Sequence, residues 1–399
     1  MSALRQTAHS GATRSTKWIV LICCLTIIFD GYDLIVYGAV VPKLLAYQEW
    51  ALTPSEVGHI GSMALVGMLI GALTVGTLTD VLGRRRVMIA CLSWFSVMMP
   101  ITTLAPNPDV FMLLRFLTGL GLGGVVPTAI AITLEYSAEN RRHLNNSLMY
   151  SGYSIGGVLA ALLALWLLPI GGFRIMFVVG VAPLVVVLPL AIKLLPESIT
   201  FLTARGRIEE AEAYARMYGV PGPAAATGPR EAVAVGEGTG VFDNLKALVS
   251  GGRLVMTLLV WAISVIGLLL VYGLNTWLPQ FMRNAGYSMG SALTFLLVFS
   301  LGAVAGVIIA GALADRIGEK LVITCSFLIA AVAVLLFITK PATAPLLLIG
   351  AVAGFGANTQ TLVNAFVGGL YPPKMRATAL GWSLGVGRIG GILGPTYGG

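Results

Sequence analysis

Eleven long apolar runs decide most of what this chain can become. They lie at about 18–41, 57–79, 87–104, 110–134, 144–168, 173–194, 254–282, 292–314, 321–338, 344–370 and 377–396. A helix needs roughly 20 predominantly apolar residues to cross the hydrocarbon of a bilayer, and these runs are of that order. Backbone in lipid must satisfy its own hydrogen bonds, so a spanning segment is a helix or part of a closed barrel. The runs are continuous rather than alternating, which excludes the barrel pattern. Only 11% of the residues are charged, against about 25% in soluble domains. An all-α, multi-pass membrane protein is expected. Its 49 glycines suit close helix packing. Gly67 with Gly71, Gly152 with Gly156, and Gly302 with Gly306 are such pairs, each four residues apart.

The net charge of +8 raises the question of a nucleic-acid partner. Its placement answers otherwise. With the N-terminus in the cytoplasm and one crossing per run, 19 of the 25 Lys and Arg fall on the cytoplasmic side. Only Lys43, Arg174, Arg283 and Lys340 fall outside. This is the positive-inside bias, so the basic charge reports topology. A bacterial inner-membrane location, a lipid surround and no nucleic acid are expected. The first run contains two aspartates and is too long for a signal-peptide core, so it reads as a retained helix. The four cysteines lie in apolar runs with no metal-site or disulfide pattern. His9, His59 and His143 form no metal or nucleophile set, and no P-loop is present. No cofactor, no metal and no enzymatic activity are expected.

Six runs precede a polar stretch at 196–252 and five follow it. The expected division is a cytoplasmic tail (1–17), an N-terminal six-helix bundle (18–195), a cytoplasmic linker (196–252) and a C-terminal bundle (253–399). The linker opens Pro196-Glu197-Ser198, carries an amphipathic segment at 207–218, then turns rich in Gly, Pro and Ala. Between runs 2 and 3 stands Gly76-x-x-x-Asp80-x-x-Gly83-Arg84-Arg85-Arg86. Between runs 8 and 9 stands Gly311-x-x-x-Asp315-Arg316-x-Gly318-Glu319-Lys320. Such echoes mark transporters built from parallel repeats. Six plus six helices require a twelfth beyond Gly399, so a truncated sequence is expected.

The Gly76–Arg86 loop resembles the signature loop of the major facilitator superfamily, with Val81 where that family usually has a basic residue. The copy at 311–320 sits where the family repeats it. Arg115-x-x-x-Gly119-x-Gly121 is similar to the family's second signature. Phe29-Asp30-Gly31-Tyr32-Asp33, with Tyr37-Gly38 beyond, resembles the D-G-x-D signature of the aromatic acid:H⁺ symporters. Glu135-Tyr136 with Arg141-Arg142, and Gly385-Val386-Gly387-Arg388-Ile389-Gly390-Gly391 ending Gly394-Pro395, match that family as well. Within it, Asp30 to Pro42 most resembles the benzoate transporters. The resemblance implies a major facilitator fold of two six-helix bundles. It also implies a symporter that imports a small aromatic carboxylate with protons, driven by the proton gradient and acting as a monomer. A proton-coupled exporter, a porter of sugars or other organic anions, and a non-transporting membrane sensor stand as alternatives.

Charges inside a membrane cost about 2.5–3.5 kcal/mol each on insertion scales, so those present need a reason. Asp30 and Asp33 are three apart and share a helix face. Two nearby carboxylates cannot both ionise cheaply, which poises one to carry a proton. Alternatively, one caps a helix break at Gly31 or pairs permanently with an arginine. Arg388 lies mid-run between glycines, and its guanidinium fork matches a carboxylate. A salt bridge to Asp30 or Asp33 is its other reading. The resemblance implies a proton-transfer role for Arg115, with a structural pair as the alternative. Glu135 is assigned to coupling or to a gate pair with Arg141, Arg142 or a signature-loop arginine. Gly76, Asp80, Gly83, Arg84, Arg85, Asp315 and Arg316 form the expected gating loops. Tyr32, Tyr37, Asn275, Trp277 and Asn358 are expected around the substrate, together with Tyr272, Phe355 and Tyr397 as ring walls; ordinary packing is the competing reading for each.

Overall fold

The computed structural model describes residues 15–138, 141–222, 248, 250, 253–339, 343–357, 360–371 and 373–399. The regular structure among them is helical, with no strand. The spanning helices of the first half are α1 (Lys17–Leu45), α2 (Pro54–Leu82), α3 (Arg84–Ile101), α4 (Pro108–Glu135) and α5 (Arg142–Val178). Shorter helices follow: α6 (Ala182–Val185), α7 (Val187–Leu194), α8 (Ile199–Ala204) and α9 (Ile208–Tyr218). The second half holds α10 (Leu254–Asn284), α11 (Met289–Ile317), α12 (Glu319–Leu336), α13 (Thr343–Ala357), α14 (Gln360–Leu370) and α15 (Pro373–Gly398).

Nine described stretches are long and apolar enough to span a bilayer. One of them, Leu144–Leu194, is 51 residues long, which is two crossings' worth of helix. It contains the two runs expected at 144–168 and 173–194. The chain turns at Gly172, whose φ of 64° is open to glycine and strained for most other residues. The run at 377–396 lies within α15.

Start signals in the sequence fix several helix ends. Thr53 and Glu56 form a reciprocal capping box at the head of α2, with Thr53 N–H donating to Glu56 Oε2 at 2.8 Å and Glu56 N–H donating to Thr53 Oγ1 at 3.3 Å. The Asn107 side chain accepts from Val110 N–H at 2.9 Å, with Pro108 leading into α4. The amphipathic linker segment forms α9 and ends at Gly219 in the left-handed conformation.

The internal echo is structural as well as textual. α2 and α11 are each 29 residues, and α3 and α12 are each 18. Gly83 joins the first pair at φ 92° and ψ 151°; Gly318 joins the second at φ 91° and ψ 143°. Both glycines of the repeated motif thus make the same turn into the following helix.

The chain forms two compact units. The first gathers Met1–Asp33, Val66–Gly156 and Phe177–Arg230; the second gathers Leu34–Leu65, Gly157–Met176 and Glu231–Gly399. Their boundaries pass through α1, α2 and α5, and between 230 and 231. Both units are assembled along glycine seams. In the first, a Cβ at Gly67 would stand 2.2 Å from the Phe116 carbonyl oxygen, and one at Gly156 would stand 2.1 Å from that of Ile28. In the second, a Cβ at Gly302 would stand 2.1 Å from the Ala351 carbonyl oxygen, and one at Gly390 would stand 1.9 Å from that of Val265. Lipid offers no hydrophobic drive for helix association, so such close backbone contact supplies dispersion instead. The glycine pairs picked out in the sequence all lie on these seams.

Candidate functional site

In the first unit α1 and α4 bring opposite charges together. Arg115 Nη1 donates to Asp33 Oδ1 at 2.5 Å. Both side chains are at most 3% exposed. The Arg115 guanidinium also lies over the Phe177 ring, 5.6 Å from its centroid, and Phe111 meets that ring edge-on at 5.5 Å. Asp30, one turn before Asp33, is fully buried, and so is Tyr32. The sequence left open whether Asp33 partners an arginine and which one; the structure brings it to Arg115. A buried pair of this kind adds little net stability, but removing one partner strands the other charge.

Where the loop between α2 and α3 meets the start of the linker in the same unit, two glutamates bind segments far apart in sequence. Arg84 Nη1 contacts Glu135 Oε2 at 3.1 Å. The other oxygen of Glu135 accepts the Thr200 N–H at 2.6 Å, near the head of α8, and the Thr200 hydroxyl. Glu197 Oε1 accepts the Arg85 N–H at 3.0 Å, in the first turn of α3, and the Ser198 N–H at 2.9 Å. Each carboxylate thus serves a helix start in another segment, where exposed N–H groups and the helix dipole favour negative charge. Arg85 reaches on to the carbonyls of Leu195 (2.7 Å) and Ile192 (2.6 Å), and the Tyr136 hydroxyl donates to the Glu197 carbonyl at 2.5 Å. Gly83 is required twice over: its φ is positive, and a Cβ there would stand 2.6 Å from Glu197 Oε2. Gly318 makes the same turn with nothing within 4 Å of such a Cβ.

Glu135 is thus paired with a signature-loop arginine. The parts played by Glu197 and Thr200 were not foreseen, although Pro196-Glu197-Ser198 stood out in the sequence. Gly76 and Asp80 lie in α2 and Asp315 in α11, but the Asp80 and Asp315 side chains fall outside the described residues, as does Asn358 altogether. Arg316 is exposed at the end of α11.

The second unit holds Arg388, half-buried on α15. Among the described residues it makes no ion pair and no hydrogen bond. Its flanking glycines seat α15 on α10: Gly387 against Ser264, Gly390 against Val265, Gly391 against the Tyr272 ring. The Ser264 and Ser383 hydroxyls are 2.7 Å apart in the same seam. Further along α15, the Ser62 hydroxyl of α2 donates to the Ile392 carbonyl at 2.5 Å and stands 2.6 Å from the Thr396 hydroxyl. Three residues expected around a substrate are engaged in packing. The Tyr37 hydroxyl donates to the Val57 carbonyl at 2.5 Å. Trp277 Nε1 donates to the Pro395 carbonyl at 2.7 Å, and the ring is 2% exposed. The Asn275 side chain donates to the Val271 carbonyl at 2.7 Å, while its own carbonyl receives Gly38, where a Cβ would stand only 1.8 Å away.

The family model of the Major Facilitator Superfamily matches residues 23–395. The chain belongs to the major facilitator superfamily. As a member it is a multi-pass membrane transporter, not an enzyme. It is 36% identical to the benzoate transport protein of Acinetobacter baylyi over 94% of this chain and 81% of that protein. It is 40% identical to the gentisate transporter of Corynebacterium glutamicum over 95% of this chain and 80% of that one. Among solved structures it is similar to a D-xylose–proton symporter, with a TM-score of 0.73 at 18% identity, covering 96% of this chain and 89% of that one. A bacterial homologue of the lysosomal transporter Spinster matches with a TM-score of 0.71 at 19% identity, over 97% and 82%. At such identities these structures speak for the fold alone.

Proposed function

We propose that this transporter imports a small aromatic carboxylate together with protons by alternating access. The observation that carries the reading is the unequal state of Arg115 and Arg388, each inside an apolar run. Arg115 is neutralised by Asp33, whereas Arg388 has no anionic partner among the described residues. A guanidinium cannot shed its proton, so a half-buried one calls for an anion from elsewhere. The relatives named for benzoate, gentisate, gallate and 4-hydroxybenzoate share one feature, a carboxylate on an aromatic ring. Arg388 takes that carboxylate. Asp33 takes the proton and, once neutral, releases Arg115; Asp30, one turn away, is the second acidic group of the coupling set. The clamp of Arg84, Glu135, Glu197 and Thr200 opens and re-forms at the cytoplasmic end as the cycle proceeds.

The test is uptake of radiolabelled benzoate into proteoliposomes with and without an inward proton gradient. Gradient-dependent accumulation, competed by hydroxybenzoates and lost in Arg388→Gln, is the expected result. Accumulation that ignores the gradient removes the coupling. Absence of benzoate uptake in vesicles that pass a reconstitution control removes this substrate.

A further inference from the structure

Tyr272 stands on α10 where that helix meets the glycine-rich face of α15. A Cβ built on Gly391 would lie 3.2 Å from Cδ2 and 3.3 Å from Cε2 of the Tyr272 ring. The ring therefore rests on the bare backbone of α15 at Gly391, a contact that a larger residue there would disturb. Gly391 follows Arg388 by three residues, which places it on a neighbouring face of α15 about 4.5 Å further along the axis. Neighbouring contacts fix the register on both sides: Gly387 touches Ser264 and Leu268, Gly390 touches Val265, and Gly394 touches Leu269 and Gly273. Tyr272 is only half-buried, in contrast to Trp277 and Tyr37, which are closed off in packing. The residue whose guanidinium has no acidic partner among the described residues and the glycine that seats the half-buried Tyr272 ring are thus three residues apart on α15, in one unit.

Resting on the carboxylate reading of Arg388 above, we infer that Tyr272, seated on Gly391, is the platform for the substrate's ring and distinguishes aromatic from saturated carboxylates. Arg388 reads the charge, which benzoate and cyclohexanecarboxylate share. Tyr272 reads the flat π-face, which only benzoate has. An aromatic pair in offset or edge geometry adds attraction beyond the area it buries. Gly391, having no side chain, lets the ring lie against the helix. The same platform serves any benzene ring carrying one carboxylate, so hydroxyl substituents are read elsewhere.

The experiment measures thermal stabilisation of the purified full chain in detergent by benzoate and by cyclohexanecarboxylate, which reports binding without requiring transport. Wild type is expected to favour benzoate by about threefold to tenfold, the range an aromatic pair provides. Tyr272→Phe keeps that preference. Tyr272→Leu brings the two affinities together while cyclohexanecarboxylate still binds. Gly391→Val, which leaves Tyr272 in place but pushes on its ring, has the same levelling effect and supplies the test should Tyr272→Leu not fold. A preference for benzoate that survives both Tyr272→Leu and Gly391→Val overturns the inference. Equal binding of the two acids by wild type also overturns it while leaving the carboxylate reading intact. Binding of neither acid defeats that reading, and this inference with it.

Discussion

Taking Asp33 and Arg115 out of water costs several kcal/mol per ion, and their 2.5 Å contact offsets that cost only while both are charged. Asp33→Asn should therefore lower stability by about 3–5 kcal/mol, because Arg115 remains charged and buried. The double change Asp33→Asn with Arg115→Gln should recover most of the melting temperature, yet accumulation against a gradient should stay lost. A double variant no more stable than the single one would show that the pair is not the source of the penalty. Burial also separates residues that look alike in the sequence. Tyr37, Trp277 and Tyr272 are all aromatic residues in apolar runs. The first two are at most 2% exposed, and the third is half-buried beside Gly391.

Among the elements, the short helices of the linker are bound to the first unit by carboxylates rather than by apolar area alone. Glu197→Gln keeps the size of the side chain but removes the charge that faces the first turn of α3. It should cost about 0.5–2 kcal/mol, the usual worth of a helix N-terminal partner. It should also speed amide hydrogen exchange in α3's first turn and in α8; unchanged exchange there would show that the clamp does not hold these helices. Arg207, which donates to both oxygens of Glu210 (2.6 and 2.5 Å), holds the Glu210 carboxyl below its ordinary range. With its folded pKa lowered, that pair contributes above the unfolded carboxylate pKa and fades as pH falls through the folded one. Both groups are exposed and screened. Glu210→Gln should leave uptake unchanged at neutral pH, which makes it a suitable control for Glu197→Gln.

For the whole molecule, the proposed symport of one proton with one monoanion moves no net charge. Uptake should rise as the outside pH falls. It should not respond to a potassium diffusion potential imposed with valinomycin at constant pH. Acceleration by an inside-negative potential would reveal a second proton, adding about 2.3 kcal/mol per 100 mV. At the same scale, helices that cross at glycine leave no room for growth. Gly38→Val places atoms where the Asn275 carbonyl stands and should prevent α1 and α10 from meeting in the second unit. Loss of folded protein, or of uptake with folding retained, is expected; normal uptake would show that this meeting is dispensable.

The amino-acid sequence by itself determined the solvent and the class of the fold. Apolar runs of spanning length admit helices or little else, and periodic glycines mark the seams. It also determined the internal repeat, because a positive φ at Gly83 and Gly318 is a local demand that local sequence records. Pairing across the chain was another matter. That Asp33 meets Arg115 depends on where α1 and α4 bring residues 82 positions apart. Several acidic and basic residues offered equally good chemistry, and charge type carries no address. Glu135 could be read as pairing with Arg141 or Arg142 until the fold brought Arg84 and the Thr200 N–H to it. Arg388 could be read as half of a salt bridge with Asp33 until the fold paired Asp33 with Arg115. Tertiary structure decided these pairings, because which charged groups meet in a poorly solvated interior depends on where the helices carry them.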